Sequence, residues 1–338
     1  MSDRRANWSR REFVGGLTLA GTARLLVAHA GPAVAAEPPP ETTIIRLVQT
    51  LSVCQAPQYV AEDHLKAEGF VDVQYTKIGG GGFKPLVSGE ADLSITMVAP
   101  LIARVDAGDP VVMLAGGHVG CFELFGSERV RAIRDLRGKT VAIRERGATE
   151  DLFLAVILAY VGMDPRRDVN WVTLPPAEAI RRLTEGQVDA FLAFPPAAQE
   201  LRARKVGHVV LNSTLDRPWS QYFCCMVAGN REFVRRHPVA TKRALRALLK
   251  SADVCFLEPE RTARGLVDKG FTKQYEFALQ ALREIPYLRW RELEPEDSVR
   301  FYALRLHEAG LIKSSPAKII AQGTDWRFLN ELKRELKG

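Results

Sequence analysis

The sequence lacks a run of about 20 apolar residues, a Cys-x-x-Cys motif and a long block of like charge. A membrane-spanning helix needs roughly 20 consecutive apolar residues, so we do not expect stable membrane insertion. Cysteine is scarce, and the five residues of this type are an odd number without zinc-like spacing, so we predict no disulfide framework, no metal and no cofactor. The formal charge of +7 is spread along the chain, and nucleic acid is not an expected partner.

The N-terminus has the pattern of an export signal. Arg10 and Arg11 precede a short apolar stretch at 15–20, and small residues at 33–36 suit cleavage. We predict that 1–36 is a twin-arginine signal peptide and that the mature protein is periplasmic; a basic leader with a chance arginine pair is the alternative. The leader holds five arginines and two acids, so that a mild charge of about +4 remains for the mature chain. The proline-rich segment 37–42 is predicted to be a stiff, solvated linker.

Short apolar strands alternate with helical segments over most of the remaining chain. The sequence predicts strands at 43–48, 71–75, 93–97 and 111–115, and a helix at 149–161. From Glu232 onward the pattern is almost entirely helical. The alternation is typical of an α/β fold, and the helical tail must pack on a sheet formed elsewhere in the chain.

Four short motifs in order point to a known family. They are GEADL at 89–93 with GDPV at 108–111, IRDLRGKTVA at 133–142, GQVDAF at 186–191 with the prolines at 195–196, and NREF at 230–233 with HP at 237–238. Over roughly 43–260 the chain resembles the solute-binding proteins of nitrate/sulfonate/taurine-type ABC importers. The same family includes pyrimidine-precursor binders and the fungal hydroxymethylpyrimidine phosphate synthase.

The resemblance implies a bilobed periplasmic-binding-protein type II fold, with two α/β lobes joined by two crossover hinge strands. Carried onto this chain, lobe 1 is 43–120 with 227–338, and lobe 2 with the hinges is 121–226. The hinges themselves are expected at 122–125 and 222–226.

The implied function is capture of a small organic or anionic solute, sulfonate-, nitrate-, taurine- or pyrimidine-like, between the lobes. The expected partners are an ABC permease and its ATPase, and the protein is expected to be a monomer. No catalytic constellation stands out, so we expect no enzymatic activity. Two alternatives stay open: a pyrimidine-forming enzyme like the fungal synthase, against which export argues, and a periplasmic sensor subunit.

Candidate ligand contacts follow the strands, because open α/β sheets bind ligands beyond the carboxyl ends of their strands, at helix N-termini. The stretch from Arg146 to Thr149 is the first choice, with Thr149 as the predicted cap of the following helix. Trp219 and Tyr222 are either an aromatic wall or core packing. The complete set of candidates is Ser52, Cys54, Gln55, Gly80, Thr96, Met97, Ala99, His118, Arg146, Gly147, Ala148, Thr149, Phe194, Trp219 and Tyr222.

The cysteines require a separate interpretation. Cys54, Cys121, Cys224 and Cys225 all map near the cleft if the implied fold is right. The fungal synthase has a cysteine cluster near the second crossover, used with iron, but here the repeated-cysteine run is missing. Small buried cysteines that pack the hinge are the main interpretation, and a metal or thiol site is the alternative.

Overall fold

Two five-stranded mixed sheets organise the computed structural model, which describes residues 37–50, 52–77 and 83–336. The first sheet has the order β2-β1-β3-β10-β4, and the second has the order β7-β6-β8-β5-β9. The strands are β1 Ile44–Gln49, β2 Asp72–Lys77, β3 Leu93–Met97, β4 Val111–Val119, β5 Glu123–Gly126, β6 Thr140–Ile143, β7 Asn170–Thr173, β8 Ala190–Ala193, β9 His208–Asn212 and β10 Phe223–Asn230. The signal peptide predicted at 1–36 and the candidate Gly80 lie outside the described residues.

The two sheets have the same arrangement of strands. Each includes one strand, β10 or β5, that the chain enters directly after leaving the other sheet. In the first sheet β1 is parallel to β2 and β3, while β10 is antiparallel to β3 and β4. In the second, β6 is parallel to β7 and β8, while β5 is antiparallel to β8 and β9. These features, two mixed sheets with helices between strands, agree with the expected bilobed α/β fold.

The chain passes between the sheets twice, at the two places where the hinges were expected. The first crossing lies between Val119 and Glu123, and the second between Asn212 and Phe223. The segments expected as hinges, 122–125 and 222–226, begin at these crossings and continue as paired strand residues of β5 and β10. Their role as hinges stays a prediction.

The helices supply the outer layers and the contact between the sheets. They are α1 Ala56–Tyr59, α2 Glu62–Ala67, α3 Lys84–Ser88, α4 Val98–Asp106, α5 Thr149–Tyr160, α6 Pro176–Thr184, α7 Ala197–Ala203, α8 Arg231–Arg236, α9 Pro238–Leu257, α10 Pro259–Asp268, α11 Tyr275–Glu284, α12 Pro295–Glu308, α13 Pro316–Gly323 and α14 Arg327–Glu335. As predicted, no strand follows Asn230 in the described part of the chain, where a single bridge joins Thr324 to Met113.

Helix α5 is apolar around most of its circumference, and its residues from Glu150 to Leu158 are buried. A helix that is apolar on all sides must be covered on all sides. It follows β6 of the second sheet and packs against α4, which follows β3 of the first sheet, and against α12 of the C-terminal helical region. The two halves of the fold are therefore joined by a shared apolar core in addition to the two crossings.

The segment predicted as a solvated linker is anchored at one residue. Glu41 is exposed, but its carboxylate accepts hydrogen bonds from the N–H groups of Val239 and Ala240 at 2.9 and 2.7 Å. These groups lie in the first turn of α9, where backbone N–H groups have no partner within the helix. Within the described residues, no helix combines the length and the apolar character that crossing a membrane requires.

Candidate functional site

The loop after β1 is held by its own hydrogen bonds. The Thr50 hydroxyl donates to Gln55 Oε1, and the Tyr59 hydroxyl also donates to this oxygen at 3.2 Å. Gln55 is buried, so its amide supports the loop. Ser52 is half-buried, and its Oγ lies 3.0 Å from the Sγ of Cys54. The loop therefore presents the Cys54 thiol at a fixed position.

The residues expected to follow β3 lie at its end and in the helix after it: Thr96 and Met97 belong to β3, and Ala99 belongs to α4. Met97 and Ala99 are buried, and Thr96 is half-buried. In the antiparallel register Met97 faces Cys225 of β10. This end of β3 thus adjoins the cysteines of the second crossover rather than open solvent.

A cluster of thiols and one imidazole occupies the point where the loop after β1, strand β4 and the first crossing meet. One donor atom each from Cys54, His118 and Cys121 lies within 4.8 Å of the others, and all three residues are buried. The Sγ atoms of Cys121 and Cys224 are 3.8 Å apart, and no cysteine of the chain is in a disulfide. Cys225 faces His118 across the β10–β4 ladder. These residues could hold a metal ion.

The cluster changes the protonation of its own members. Burial lowers the pKa of His118, but the Cys225 and Cys54 thiols outweigh burial and raise this pKa well above its usual value. Burial and the neighbouring Cys224 raise the pKa of the Cys121 thiol. Burial also raises the pKa of Cys224, but hydrogen bonds from Cys121 and Cys225 outweigh it and lower that pKa. The cluster therefore favours the thiolate form of Cys224 on β10 and the protonated form of His118 beside it.

In the second sheet, the loop that leads into α5 already has a carboxylate as a hydrogen-bond acceptor, that of Asp151. Asp151 accepts from the Gly147 N–H at 2.7 Å and pairs with Arg146 at 2.7 Å. The prediction that Thr149 caps this helix is wrong: Ala148 occupies the N-cap without a side-chain bond, and Thr149 is the first helical residue. Asp151, two residues further on, reaches back to the loop because its longer side chain carries a charged acceptor.

Burial raises the pKa of Asp151, while the Gly147 N–H and the Arg146 charge act to lower it. Arg146 also lies over the ring of Trp171, 4.7 Å from its centroid. Next to this pair, Arg144 pairs with the buried Glu150 at 2.5 Å. The two arginines at this end of α5 therefore both have acidic partners.

Aromatic side chains link this region to the first crossing. Phe194, after β8, is half-buried and lies 5.9 Å from the ring of Phe122, with the guanidinium of Arg144 at 4.7 Å from its own ring. Trp219 is 2% exposed and packs edge-on against Phe153 and Phe301, so the structure places it in the core.

Tyr222 is half-buried and stacks on Phe301 at 4.1 Å. This contact accounts for one face of its ring. An additional role of Tyr222 as part of an aromatic wall stays a prediction.

The sequence did not indicate a polar cavity beside the first crossing. It has a volume of about 200 Å³, and the residues that line it include Cys121, Glu123, Gln199, Arg202 and Glu284. Burial and the nearby Glu284 raise the pKa of Glu123 to about 7, against the opposing effect of Arg202. The charged residues that line the cavity are far apart in the sequence and follow no spacing rule, so only the fold brings them together.

The chain is similar to proteins of known role. A family model described as the NMT1-like family matches residues 39–265. The nitrate/nitrite binding protein NrtA of Synechococcus elongatus is 25% identical over 160 residues, 46% of this chain and 36% of the relative. The bicarbonate-binding protein CmpA of a Synechococcus species is 24% identical over 123 residues, 36% of this chain and 27% of the relative. The chain thus matches only about a quarter to a third of the length of these curated relatives.

Solved structures match over most of the chain. The periplasmic nitrate-binding protein NrtA from Synechocystis PCC 6803 has a TM-score of 0.72 at 18% identity, covering 89% of this chain and 90% of that one. The alkanesulfonate-binding protein SsuA from Xanthomonas axonopodis pv. citri, bound to MOPS, has a TM-score of 0.67 at 18% identity, covering 86% and 100%. These matches establish the fold, and the family model spans well over half of the sequence: the chain belongs to the NMT1-like family.

Proposed function

We propose that this protein is the solute-binding subunit of an ABC importer, which captures a small solute between its two lobes and delivers it to a permease and its ATPase. The family and the fold support this role, since relatives with the same fold are named as nitrate-, bicarbonate- and sulfonate-binding proteins. These relatives are named for binding, and we propose that this chain likewise binds without catalysis.

The observation that carries the proposal is the meeting of both sheets at the first crossing. Cys121 lies beside Cys54, which follows β1 of the first sheet. The adjacent Phe122 contacts Phe194, which follows β8 of the second sheet. Loops at the carboxyl ends of parallel strands are where α/β sheets bind ligands. A solute held there touches both halves of the fold, so its binding depends on how far apart the two halves are.

We assign the lobes as the sheets suggest. The expected boundary at 226 divides β10, so we move it: lobe 1 is 43–120 with 223–338, and lobe 2 is 121–222. The assignment is supported by the strand order, because β1 to β4 and β10 share one sheet and β5 to β9 share the other.

We further propose that the solute is organic and of low net charge. The N-terminus of α5 would ordinarily suit an anion, but the carboxylates of Glu150 and Asp151 already occupy its first turn and pair with Arg144 and Arg146. A bare inorganic anion placed there would face two acids. The nearby aromatic rings, Phe122 and Phe194, would instead suit an apolar or heterocyclic body.

A thermal-shift screen tests the binding role. Purified protein is heated with nitrate, bicarbonate, taurine, alkanesulfonates and pyrimidines, each over a range of concentrations. A ligand at 100 times its Kd adds about 2.7 kcal/mol to the free energy of unfolding, so a true solute raises Tm in a concentration-dependent way. We expect the largest shift from an organic compound. If none of these classes shifts the melt, the solute assignment fails.

Export is tested separately, since the predicted twin-arginine signal lies outside the described residues. We propose a periplasmic location, which is also the one named for the NrtA structure. Cell fractionation of the wild type and of a variant with Arg10→Lys and Arg11→Lys measures it. We expect the wild type in the periplasm and the variant retained inside; equal export of both would contradict the twin-arginine route.

A further inference from the structure

Three residues from separate parts of the chain bring metal-binding atoms to one buried point. Cys54 comes from the loop after β1, His118 from β4 and Cys121 from the first crossing. Each of these side chains is at most 6% exposed. Apolar packing alone does not require that sulfur and imidazole nitrogen gather at one place, since any small apolar residue fills such space.

The separations suit one small ion. Donor atoms of Cys54, His118 and Cys121 lie within 4.8 Å of one another. Cys225 of β10 lies opposite His118 in the β10–β4 ladder, beside this group. In a tetrahedral site with Zn–S bonds of about 2.3 Å, neighbouring sulfurs are about 3.8 Å apart. Three donors this close to one another can occupy three corners of such a tetrahedron.

The imidazole of His118 has a free nitrogen. Its Nδ1 lies 3.3 Å from the carbonyl oxygen of Val119, while its Nε2 is buried and has no hydrogen-bond partner. A buried polar atom without a partner costs free energy. Metal-binding histidines commonly donate one ring N–H to a carbonyl and use the other nitrogen as the ligand, which is the arrangement here.

The backbone is shaped to bring the thiols together. Cys121 has a φ of +96°, in the left-handed region that non-glycine residues rarely adopt, and its N–H donates to Thr214 Oγ1 at 3.0 Å. The β10–β4 ladder shifts register on both sides of Cys225, as at a β-bulge. Bulges re-aim side chains near functional sites, and strained residues cluster there. Two local irregularities thus lie at or beside the same group of donors.

We propose that Cys54, His118 and Cys121 bind one thiophilic divalent cation, Zn²⁺ being the ion that thiolates and an imidazole fit best. Three protein ligands leave the fourth tetrahedral position to water. The ion would join the loop after β1 to β4 and to the first crossing. The ligands lose their protons to solvent on binding.

The site is tested by direct metal binding. The full-length protein, reduced and stripped with a chelator, is titrated with zinc chloride against a chromophoric chelator, and in parallel with cobalt(II). We expect one equivalent of zinc per chain. Bound cobalt should show thiolate-to-metal charge transfer in the near ultraviolet and the intense visible bands of a tetrahedral ion.

Variants identify the ligands. Cys54→Ser and His118→Gln should each weaken zinc binding by at least about 100-fold, more than loss of a second-shell partner usually costs. Cys224→Ser should bind zinc like the wild type, because Cys224 is adjacent but outside the set. Cys255→Ser is the matched control for loss of a buried cysteine, because Cys255 lies on α9 and is not among the proposed ligands. Circular dichroism verifies that each variant folds.

The cobalt spectrum of the wild type gives an answer even where a variant fails to fold. Absence of bound metal, a cobalt spectrum without charge transfer, or unchanged affinity in both Cys54→Ser and His118→Gln would each overturn the site. The solute screen plays no part in these measurements, so they test the metal site independently of the proposed transport role.

Discussion

Arg202 Nη2 lies 2.6 Å from Glu284 Oε2, and this ion pair joins α7 of the second sheet to the C-terminal end of α11. Gln199 Nε2 donates to the same carboxylate at 3.0 Å. Both charged side chains are about one-third exposed, so solvent screens the pair in part. The contact connects helices on the two proposed lobes and borders the polar cavity, so it favours the arrangement in which the lobes are close together.

Glu284→Gln should therefore favour the open form. Loss of a partly exposed pair costs up to about 1 kcal/mol, which corresponds to a roughly fivefold loss of solute affinity. Small-angle scattering of the ligand-free variant should give a larger radius of gyration than that of the wild type. Glu260→Gln is the control, because it removes an exposed pair with Arg283 between α10 and α11, on one side of the fold only. Equal behaviour of the two variants would show that the Arg202 pair does not hold the lobes.

Asp151 fills the place that an anion would take at the N-terminus of α5. Asp151→Ala frees the Gly147 N–H and the Arg146 guanidinium, which both point at its carboxylate. We expect that nitrate or methanesulfonate then raises Tm of the variant but not that of the wild type, because a helix N-terminus binds anions once it is free. Glu145→Ala, in the exposed part of the same loop, should leave the anion response unchanged. A nitrate response in the wild type would argue against an organic solute of low net charge.

Glu41 should give folding stability an acid dependence. Burial raises its pKa, but the N–H groups of Ala240 and Val239 act against burial and the pKa is lowered overall. A lowered carboxyl pKa stabilises the fold above the unfolded value of about 4.5, and this contribution disappears as the pH falls through the folded pKa. Glu41→Gln should lose up to about 1 kcal/mol at pH 7, since the residue is exposed, and little near pH 3.

Urea unfolding at both pH values measures this difference. Glu276→Gln, an exposed acid on α11, is the control and should cost little at either pH. A loss for Glu41→Gln that is the same at pH 7 and pH 3 would show that the charge of Glu41 is not what stabilises α9.

Regular elements could be predicted closely because periodic patterns determine them locally. The strand predicted at 93–97 has those bounds, and the helix predicted at 149–161 ends one residue earlier. The strand predicted at 111–115 continues to Val119 in the structure, through Gly116 and Gly117. Glycine at 116 allows close packing: a Cβ there would lie 2.3 Å from the ring of Phe223.

The site could be predicted only in outline. That Cys54 and the cysteines of the second crossover map near the cleft followed from the family resemblance. Their convergence on His118 depends on the register of β10 against β4 and on the shifts beside Cys225. Neither the register nor the shifts can be read from the sequence. A change of one residue in the register turns every side chain to the other face, so the positions of these side chains follow only from the folded sheet. For the same reason the ion pair of Arg202 and Glu284, 82 residues apart, could not be foreseen.

The contact between Gly116 and Phe223 makes a final prediction about how the first sheet holds β10. A methyl group at Gly116 would overlap the Phe223 ring, which is fully buried and cannot move away freely. Gly116→Ala should therefore destabilise the fold by roughly 1–3 kcal/mol, the usual cost of overpacking. Gly265→Ala is the matched control: it lies inside α10 with open space around the added carbon, so it should stabilise by up to about 1 kcal/mol. Urea denaturation of both variants measures the contrast, and a neutral Gly116→Ala would mean that β10 can shift against β4.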